Sequence, residues 1–154
     1  MTTKAMFDAG PYRLVEDYYY ATDTHLWVAI EGDGGTARCG FDPLGAATSG
    51  DIVAVSFESV GDQIARGEAF GNMEAAKFVG PLIAPVSGTL VACNDTVIGN
   101  PSLLNQDPIE NWLVELELTN METDLALLLH GKEQVTAWIE SEIERFKDQG
   151  MIAE

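Results

Sequence analysis

The feature that most constrains how this chain can fold is an internal repeat. Ser49-Gly50-Asp51-Ile52-Val53-Ala54-Val55 reappears as Ser87-Gly88-Thr89-Leu90-Val91-Ala92-Cys93. The register holds without a gap as far as Val60-Gly61-Asp62 and Ile98-Gly99-Asn100. Each copy reads as a strand and a turn, too small to bury its own apolar face. The two copies are therefore expected to complete one core as a twofold-related pair. Short β-type runs surround them between Tyr18 and Leu118, broken by Gly, Pro, Asn and Asp: residues 26–30, 36–40, 52–55, 69–73, 89–93 and 112–118. Glu31-Gly32-Asp33-Gly34-Gly35, between the first two runs, reads as a hairpin turn.

The apolar period changes after Leu118. Thr119 and Glu122 have the spacing of a capping box, and Leu125, Leu128 and Leu129 then fall on one helical face. Gly131 ends that helix. A second helix follows, with Val135, Trp138, Ile139, Ile143 and Phe146 on one face and acids on the other. Such a helix is expected to pack on the sheet, a free docking helix being the alternative. Residues 1–17 show no clear period. The expected organisation is an N-terminal arm over 1–17, a β domain over 18–118, and a helical extension over 119–154 packed on it.

Between the two copies of the repeat lies the segment Gly71-Asn72-Met73-Glu74-Ala75-Ala76-Lys77-Phe78-Val79-Gly80. It must cross from one half of the core to the other through a tight turn, which puts Lys77 near the tip. The chain has four lysines; Lys4 lies in the arm, and Lys132 and Lys147 lie in the C-terminal helices. Lys77 is thus the one lysine of the β domain. A lone lysine at a turn is either an ordinary surface charge or an amine displayed for modification. The flanks favour the second reading. Gly71 and Gly88 bracket the segment with residues suited to turns and close backbone approach. Glu74, three residues earlier, places an acid where a modifying enzyme can read it.

The charge balance excludes some functions. Eight Lys and Arg face twenty-five Asp and Glu, a formal charge of −17, the wrong sign for holding nucleic acid by its phosphates. No apolar run is long enough for a membrane span, and the start Met1-Thr2-Thr3-Lys4 lacks the apolar core of a signal peptide, so a cytoplasmic location is expected. Cys39 and Cys93 sit in strand-like runs without metal-ligand spacing and read as two buried, reduced thiols. With two histidines the chain has little from which to build a metal site, and no catalytic triad or carboxylate pair is evident. His25 is expected to support the fold rather than to act in catalysis. Nothing reads as a coiled-coil seam, so a monomer is expected.

From about Tyr20 to Leu118 the sequence resembles the H-protein family, the lipoyl carriers first known from the glycine cleavage system. The matching blocks include His25-Leu26-Trp27-Val28, Glu31-Gly32-Asp33-Gly34, Gly50-Asp51-Ile52-Val53 and Gly67-Glu68-Ala69-Phe70-Gly71. They continue through Glu74-Ala75-Ala76-Lys77, Ala84-Pro85-Val86-Ser87-Gly88, Asn100-Pro101, Asn105, Asp107-Pro108 and Trp112-Leu113. The resemblance implies a mainly β fold, the flattened barrel called the barrel-sandwich hybrid, with C-terminal α-helices. It implies lipoate attached to Lys77 through an amide, with Gly71, Glu74 and Gly88 in the motif seen by a lipoate ligase or lipoyl transferase. Biotin carriers place their lysine between two methionines; Ala76 and Phe78 stand here instead. A lipoyl arm carries a redox-active dithiolane on a long tether, so the chain is expected to be a substrate of other enzymes and not a catalyst.

Two departures bear on what the arm carries. In the glycine cleavage proteins a glutamate stands between the His and Trp of the early motif, and an aspartate four residues after the lipoyl lysine; both face a charged aminomethyl group. The matching residues are Leu26 and Pro81, neither of which can accept a hydrogen bond through its side chain. Losing two charge-assisted hydrogen bonds of roughly 1.5–3 kcal/mol each disfavours a cationic cargo. Phe78 also replaces a small residue. The sequence is in this respect similar to the lipoate-binding proteins that work with a heterodisulfide-reductase-like complex in sulfur oxidation. That similarity implies sulfur-containing cargo. The alternatives are a glycine cleavage protein serving glycine decarboxylase, aminomethyltransferase and dihydrolipoamide dehydrogenase, or an unmodified interaction module.

Overall fold

The computed structural model describes residues 4–32 and 34–152. Asp33, one residue of the expected hairpin turn, lies outside them, as do the ends of the expected N-terminal arm and helical extension. In chain order the strands and helices are β1 (Met6–Ala9), β2 (Tyr12–Val15), β3 (Tyr19–Tyr20), β4 (Leu26–Glu31), β5 (Thr36–Phe41), α1 (Pro43–Ser49), β6 (Ile52–Phe57) and β7 (Gln63–Ile64). They continue with β8 (Ala69–Ala75), β9 (Phe78–Ile83), β10 (Gly88–Cys93), α2 (Asp95–Gly99), α3 (Leu103–Gln106) and β11 (Val114–Leu118). The last are α4 (Met121–Leu125), β12 (Leu129–His130) and α5 (Lys132–Asp148).

A seven-stranded sheet, in the order β12-β3-β4-β5-β11-β10-β7, faces a three-stranded sheet, β6-β8-β9. The two copies of the repeat stand on opposite sheets, β6 in the small one and β10 in the large one. Ile52 and Leu90, equivalent in the repeat, are both buried in the core that the sheets enclose. The equivalence ends beyond the strands. Asn94 caps α2, its Oδ1 accepting from the Thr96 amide at 3.2 Å, whereas its counterpart Ser56 remains in β6. Val60-Gly61-Asp62 is consequently a turn, while Ile98 and Gly99 are helical.

A second apolar cluster lies on the outer side of the large sheet, where Trp27, Tyr20 and Leu44 meet Val135, Ile139 and Phe146 of α5. The sequence after Leu118 reads differently in three dimensions. The Thr119 amide donates to the Ser87 carbonyl at 3.2 Å, and Asp124 accepts from the Ser87 amide at 2.7 Å. The Thr119 amide is thereby claimed by Ser87 and no capping box forms; the chain bends at Thr119 and Asn120, and α4 starts after Asn120 without a side-chain cap. Leu129 leaves the helix and pairs with Tyr20 in β12. The N-terminal segment is no loose arm: β1 and β2 form an antiparallel hairpin whose Phe7 and Leu14 enter the second cluster beneath α5. Its alternating pattern is too short to stand out in the sequence.

Cys39 is buried, its thiol pushed up to about 12 by burial; Cys93, expected buried, is half-buried, and both are free. They stand on the strands flanking β11, each opposite Val114. Two strand spacings of about 4.8 Å separate them, more than the roughly 7 Å a disulfide can bridge. Among the described residues no helix is long and apolar enough to cross a membrane, and no group of three candidate ligands could hold a metal ion.

Two polar side chains tie distant segments of the fold together. The first is Asn105, on α3. Its Oδ1 accepts from the Ile52 amide at 2.9 Å and its Nδ2 donates to the Gly50 carbonyl at 2.9 Å. One side chain thereby fixes both ends of the Gly50–Ile52 link between α1 and β6. The second is buried His25, which has a φ of +58°, a left-handed conformation rare for a residue with a side chain. Its Nδ1 meets Asp42 Oδ2 at 2.8 Å, and its Nε2 meets Glu142 Oε1 at 2.9 Å. Asp42 also caps α1 by accepting from the Gly45 amide at 2.8 Å. The imidazole stacks on Trp138 at 4.6 Å between centroids. One ring thus ties α1, the large sheet and α5 together.

A carboxylate on each ring nitrogen favours the imidazolium, in which both nitrogens donate. Burial pushes the His25 pKa down, but the bonds and charges of Asp42 and Glu142 override it, and the net shift is upward. Glu142 is held down at about 2, chiefly by Arg145, against the opposing effect of burial and with help from His25.

Asn105→Ala is expected to leave the Gly50 carbonyl and Ile52 amide without their partner, at a cost of about 1–3 kcal/mol in urea unfolding. Asn105→Asp, which keeps the acceptor and loses the donor, should fall between. The raised His25 pKa contributes stability that is complete below 6.5 and lost as pH climbs through the folded-state value. The depressed Glu142 pKa contributes stability that is present above 4.5 and lost as pH falls toward about 2. Unfolding free energy should therefore decline as pH rises above 6.5, and His25→Gln should flatten that limb. Equal slopes for the two proteins from pH 6 to 9 would remove His25 as the cause.

Candidate functional site

Lys77 is the second residue of a two-residue turn joining β8 to β9, with Ala75 paired opposite Phe78. The turn lacks the usual chemistry of such short hairpins, since neither Ala76 nor Lys77 has a positive φ. Its shape is imposed from outside. The Ala76 amide donates to the Asp51 carbonyl at 3.0 Å and the Lys77 amide to the Ser49 carbonyl at 2.9 Å. The same Gly50–Ile52 link that Asn105 fixes therefore carries the turn. Gly50 makes the approach possible: its φ is +74°, and a Cβ there would stand 3.1 Å from Ala76 Cβ and 3.3 Å from Lys77 Cγ. While its backbone is held, the lysine side chain is exposed, and Nζ donates to the Met151 carbonyl at 3.1 Å.

The other expected motif residues fall in two groups. Glu74 is exposed on β8, opposite Ala54 on one side and Val79 on the other, three residues from Lys77. Gly71 and Gly88 do not adjoin the turn; they are sites of close strand approach. A Cβ on Gly71 would strike the Ser56 carbonyl, and one on Gly88 would lie 2.6 Å from the Glu117 carbonyl. Both are buried where strands approach closely, and of the three only Glu74 is exposed near the tip.

A cleft of about 510 Å³ opens beside the turn, within the size range of small-molecule sites. Its lining includes Phe78, next to Lys77, Ser49, whose carbonyl holds the Lys77 amide, and the buried Met73 and Leu82. Leu26 and Pro81 both line it, so the two positions that lack the family's carboxylates meet at one place. An exposed amine next to a mainly apolar cleft fits a long hydrocarbon tether anchored at Lys77.

Two polar residues of this cleft were not singled out in the sequence. Thr24 Oγ1 is the buried side-chain oxygen that, among the described residues, has no hydrogen-bond partner. Arg145, on the last turn of α5, lies over the Phe146 ring at 4.4 Å, and both residues line the cleft. Its Nε and Nη2 each donate to Glu142 at 2.7 Å. No local sequence pattern marks Arg145, because its place depends on how α5 docks. Asn105 did have a signal, as one of the matched residues, but its task is visible only in three dimensions.

The glycine cleavage H-protein family model matches residues 18–142. A glycine cleavage system H protein of Mycolicibacterium vanbaalenii is 43% identical over 119 residues, covering 75% of this chain and 89% of the relative. A probable glycine cleavage system H protein of Thermococcus kodakarensis is 35% identical over 127 residues, covering 82% of this chain and 93% of the relative. The crystal structure of a glycine cleavage system H protein from Mycobacterium marinum superposes with a TM-score of 0.69 at 29% identity, covering 80% of this chain and 98% of the other. That likeness establishes the flattened barrel-sandwich arrangement with its C-terminal helix. Members of the family carry lipoate covalently on a lysine and serve partner enzymes as a substrate without being catalysts themselves. With the match extending over most of its length, this chain belongs to the glycine cleavage H-protein family.

Proposed function

We propose that Lys77 is the lysine that carries lipoate, and that the chain shuttles arm-bound intermediates between partner enzymes in the cytoplasm. The observation that carries this reading is an exposed amine on a backbone-clamped turn beside an apolar cleft. Glu74 is the motif residue placed for a lipoate ligase or lipoyl transferase to read, while Gly71 and Gly88 keep the strands in register. When bound, the group supplies a reversible disulfide on a tether, which raises the effective concentration of cargo at successive active sites. The protein's own part is to present the amine, hold the turn rigid and shelter the arm.

Two cargoes are in question. The relatives are glycine cleavage system H proteins by name, which supports the first reading, an aminomethyl group handled with glycine decarboxylase, aminomethyltransferase and dihydrolipoamide dehydrogenase. One specific observation favours the second, a sulfur-containing cargo delivered to a heterodisulfide-reductase-like complex. Leu26 and Pro81 share the cleft and leave it without the two acids that would face an ammonium.

Incubation with lipoate, ATP and a lipoate ligase is expected to add one lipoyl mass increment on the peptide containing Lys77, with none in Lys77→Arg. An increment elsewhere, or none, would refute the assignment. Mixing the lipoylated chain with glycine decarboxylase and aminomethyltransferase separates the cargoes. Turnover matching an authentic H-protein selects the aminomethyl group; a rate at least about tenfold lower, as the loss of one charge-assisted bond implies, selects the other.

A further inference from the structure

We propose that the cleft beside Lys77 selects arm-borne groups by charge, accepting an oxyanion and rejecting an ammonium, and that Arg145 is the specificity-determining residue. The inference rests on the lipoyl-carrier reading and adds the chemical class of the cargo.

The acids near the cleft are already committed. Asp42 spends one oxygen on the Gly45 amide and the other on His25. Glu142 gives Oε1 to His25 and to Arg145, and Oε2 to Arg145. Neither carboxylate lines the cleft. Asp23 does line it, but is solvent-exposed at the rim, where its charge is screened. Leu26 and Pro81 have no acceptor in their side chains. A cationic group entering the cleft thus finds no inward carboxylate.

An anionic group finds donors. A guanidinium has five N–H groups; two of Arg145's are used on Glu142, which leaves three. The planar fork suits an oxyanion, whether carboxylate or oxidised sulfur. Arg145 is also held before any cargo arrives. The contacts run from Asp42 at the start of α1, through His25 and Glu142, to Arg145, and the Phe146 ring supports the guanidinium from below. With His25 protonated these four groups sum to zero charge, so selection comes from the donors that face the cleft.

The test uses full-length lipoylated protein in a Cys93→Ser background, reduced with a phosphine. The arm thiolates are alkylated with iodoacetate, iodoacetamide or 2-bromoethylamine. In each case a sulfur–carbon bond forms as halide leaves, placing an anion, a neutral amide or a cation on the same tether. Intact and peptide mass first establish that Lys77 bears the arm. Nuclear magnetic resonance shifts of Thr24, Leu26 and Leu82 then report the docked fraction. The docked-to-free ratio should be roughly five- to tenfold higher for the carboxymethyl arm than for the aminoethyl arm, a half-exposed charge-assisted contact being worth about that factor. Arg145→Gln should bring the two within about twofold, and Arg145→Lys should retain part of the preference; Pro81→Asp, at an exposed position, should reverse the order. Equal docking of the two arms in the unsubstituted cleft, or an unchanged preference in Arg145→Gln with a native melting curve, would overturn the proposal while leaving the carrier reading intact. A bare Lys77 would instead remove the carrier reading beneath it.

Discussion

Two backbone hydrogen bonds carry the site: the Ala76 amide to the Asp51 carbonyl and the Lys77 amide to the Ser49 carbonyl. A two-residue hairpin without a positive φ is poorly matched to the twist of its strands, and these bonds supply from outside the geometry that the turn residues do not supply themselves. Their strength depends on where the Gly50–Ile52 link sits, which Asn105 fixes from α3 and the left-handed φ of Gly50 permits. The exposed amine is therefore the end of a rigid chain of contacts that begins in a different part of the fold. Any enzyme that acts on this amine would meet it in one backbone arrangement and forfeit little entropy in ordering the tip.

A second chain of contacts shapes the cleft. His25 would be an expensive residue to bury alone, and more so at a strained φ. Asp42 and Glu142 make it favourable, and the consequence is that α5 docks with Glu142 at the imidazole and Arg145 at the cleft. The helix has two roles in this arrangement. Its apolar face covers the outer side of the large sheet, and its last turn brings Arg145 to the lining of the cleft.

Much of this was legible before any coordinates. The repeat announced two equivalent strands around one core, and Ile52 and Leu90 meet that description on opposite sheets. The single lysine of the β domain does sit at a tight turn, but β8 and β9 both belong to the three-stranded sheet, so that turn does not cross between the halves as expected; the crossing to the large sheet comes after β9. The apolar face of α5 followed from its period. What failed to show has a common cause: it depends on pairing between segments distant in the chain. The β1–β2 hairpin has four-residue strands, too short to display a period. Thr119 has the spacing of a cap, yet its amide is claimed by Ser87, and Leu129 is drawn into pairing with Tyr20. The burial of Cys93 was overestimated because its strand ends at the margin of the core. Arg145 is an ordinary residue in sequence, and Asn105, though one of the matched residues, shows its task only once α3 has docked.

The central claim is that the lysine is mobile only beyond its backbone, on a turn clamped by the link before β6. Residue-resolved amide hydrogen exchange at Ala76 and Lys77 tests it most directly. Both amides should exchange as slowly as those within β8, despite standing at the exposed end of a hairpin. Exchange at the rate of an unstructured loop would mean that the tip is free, and that the amine owes its presentation to nothing in this fold.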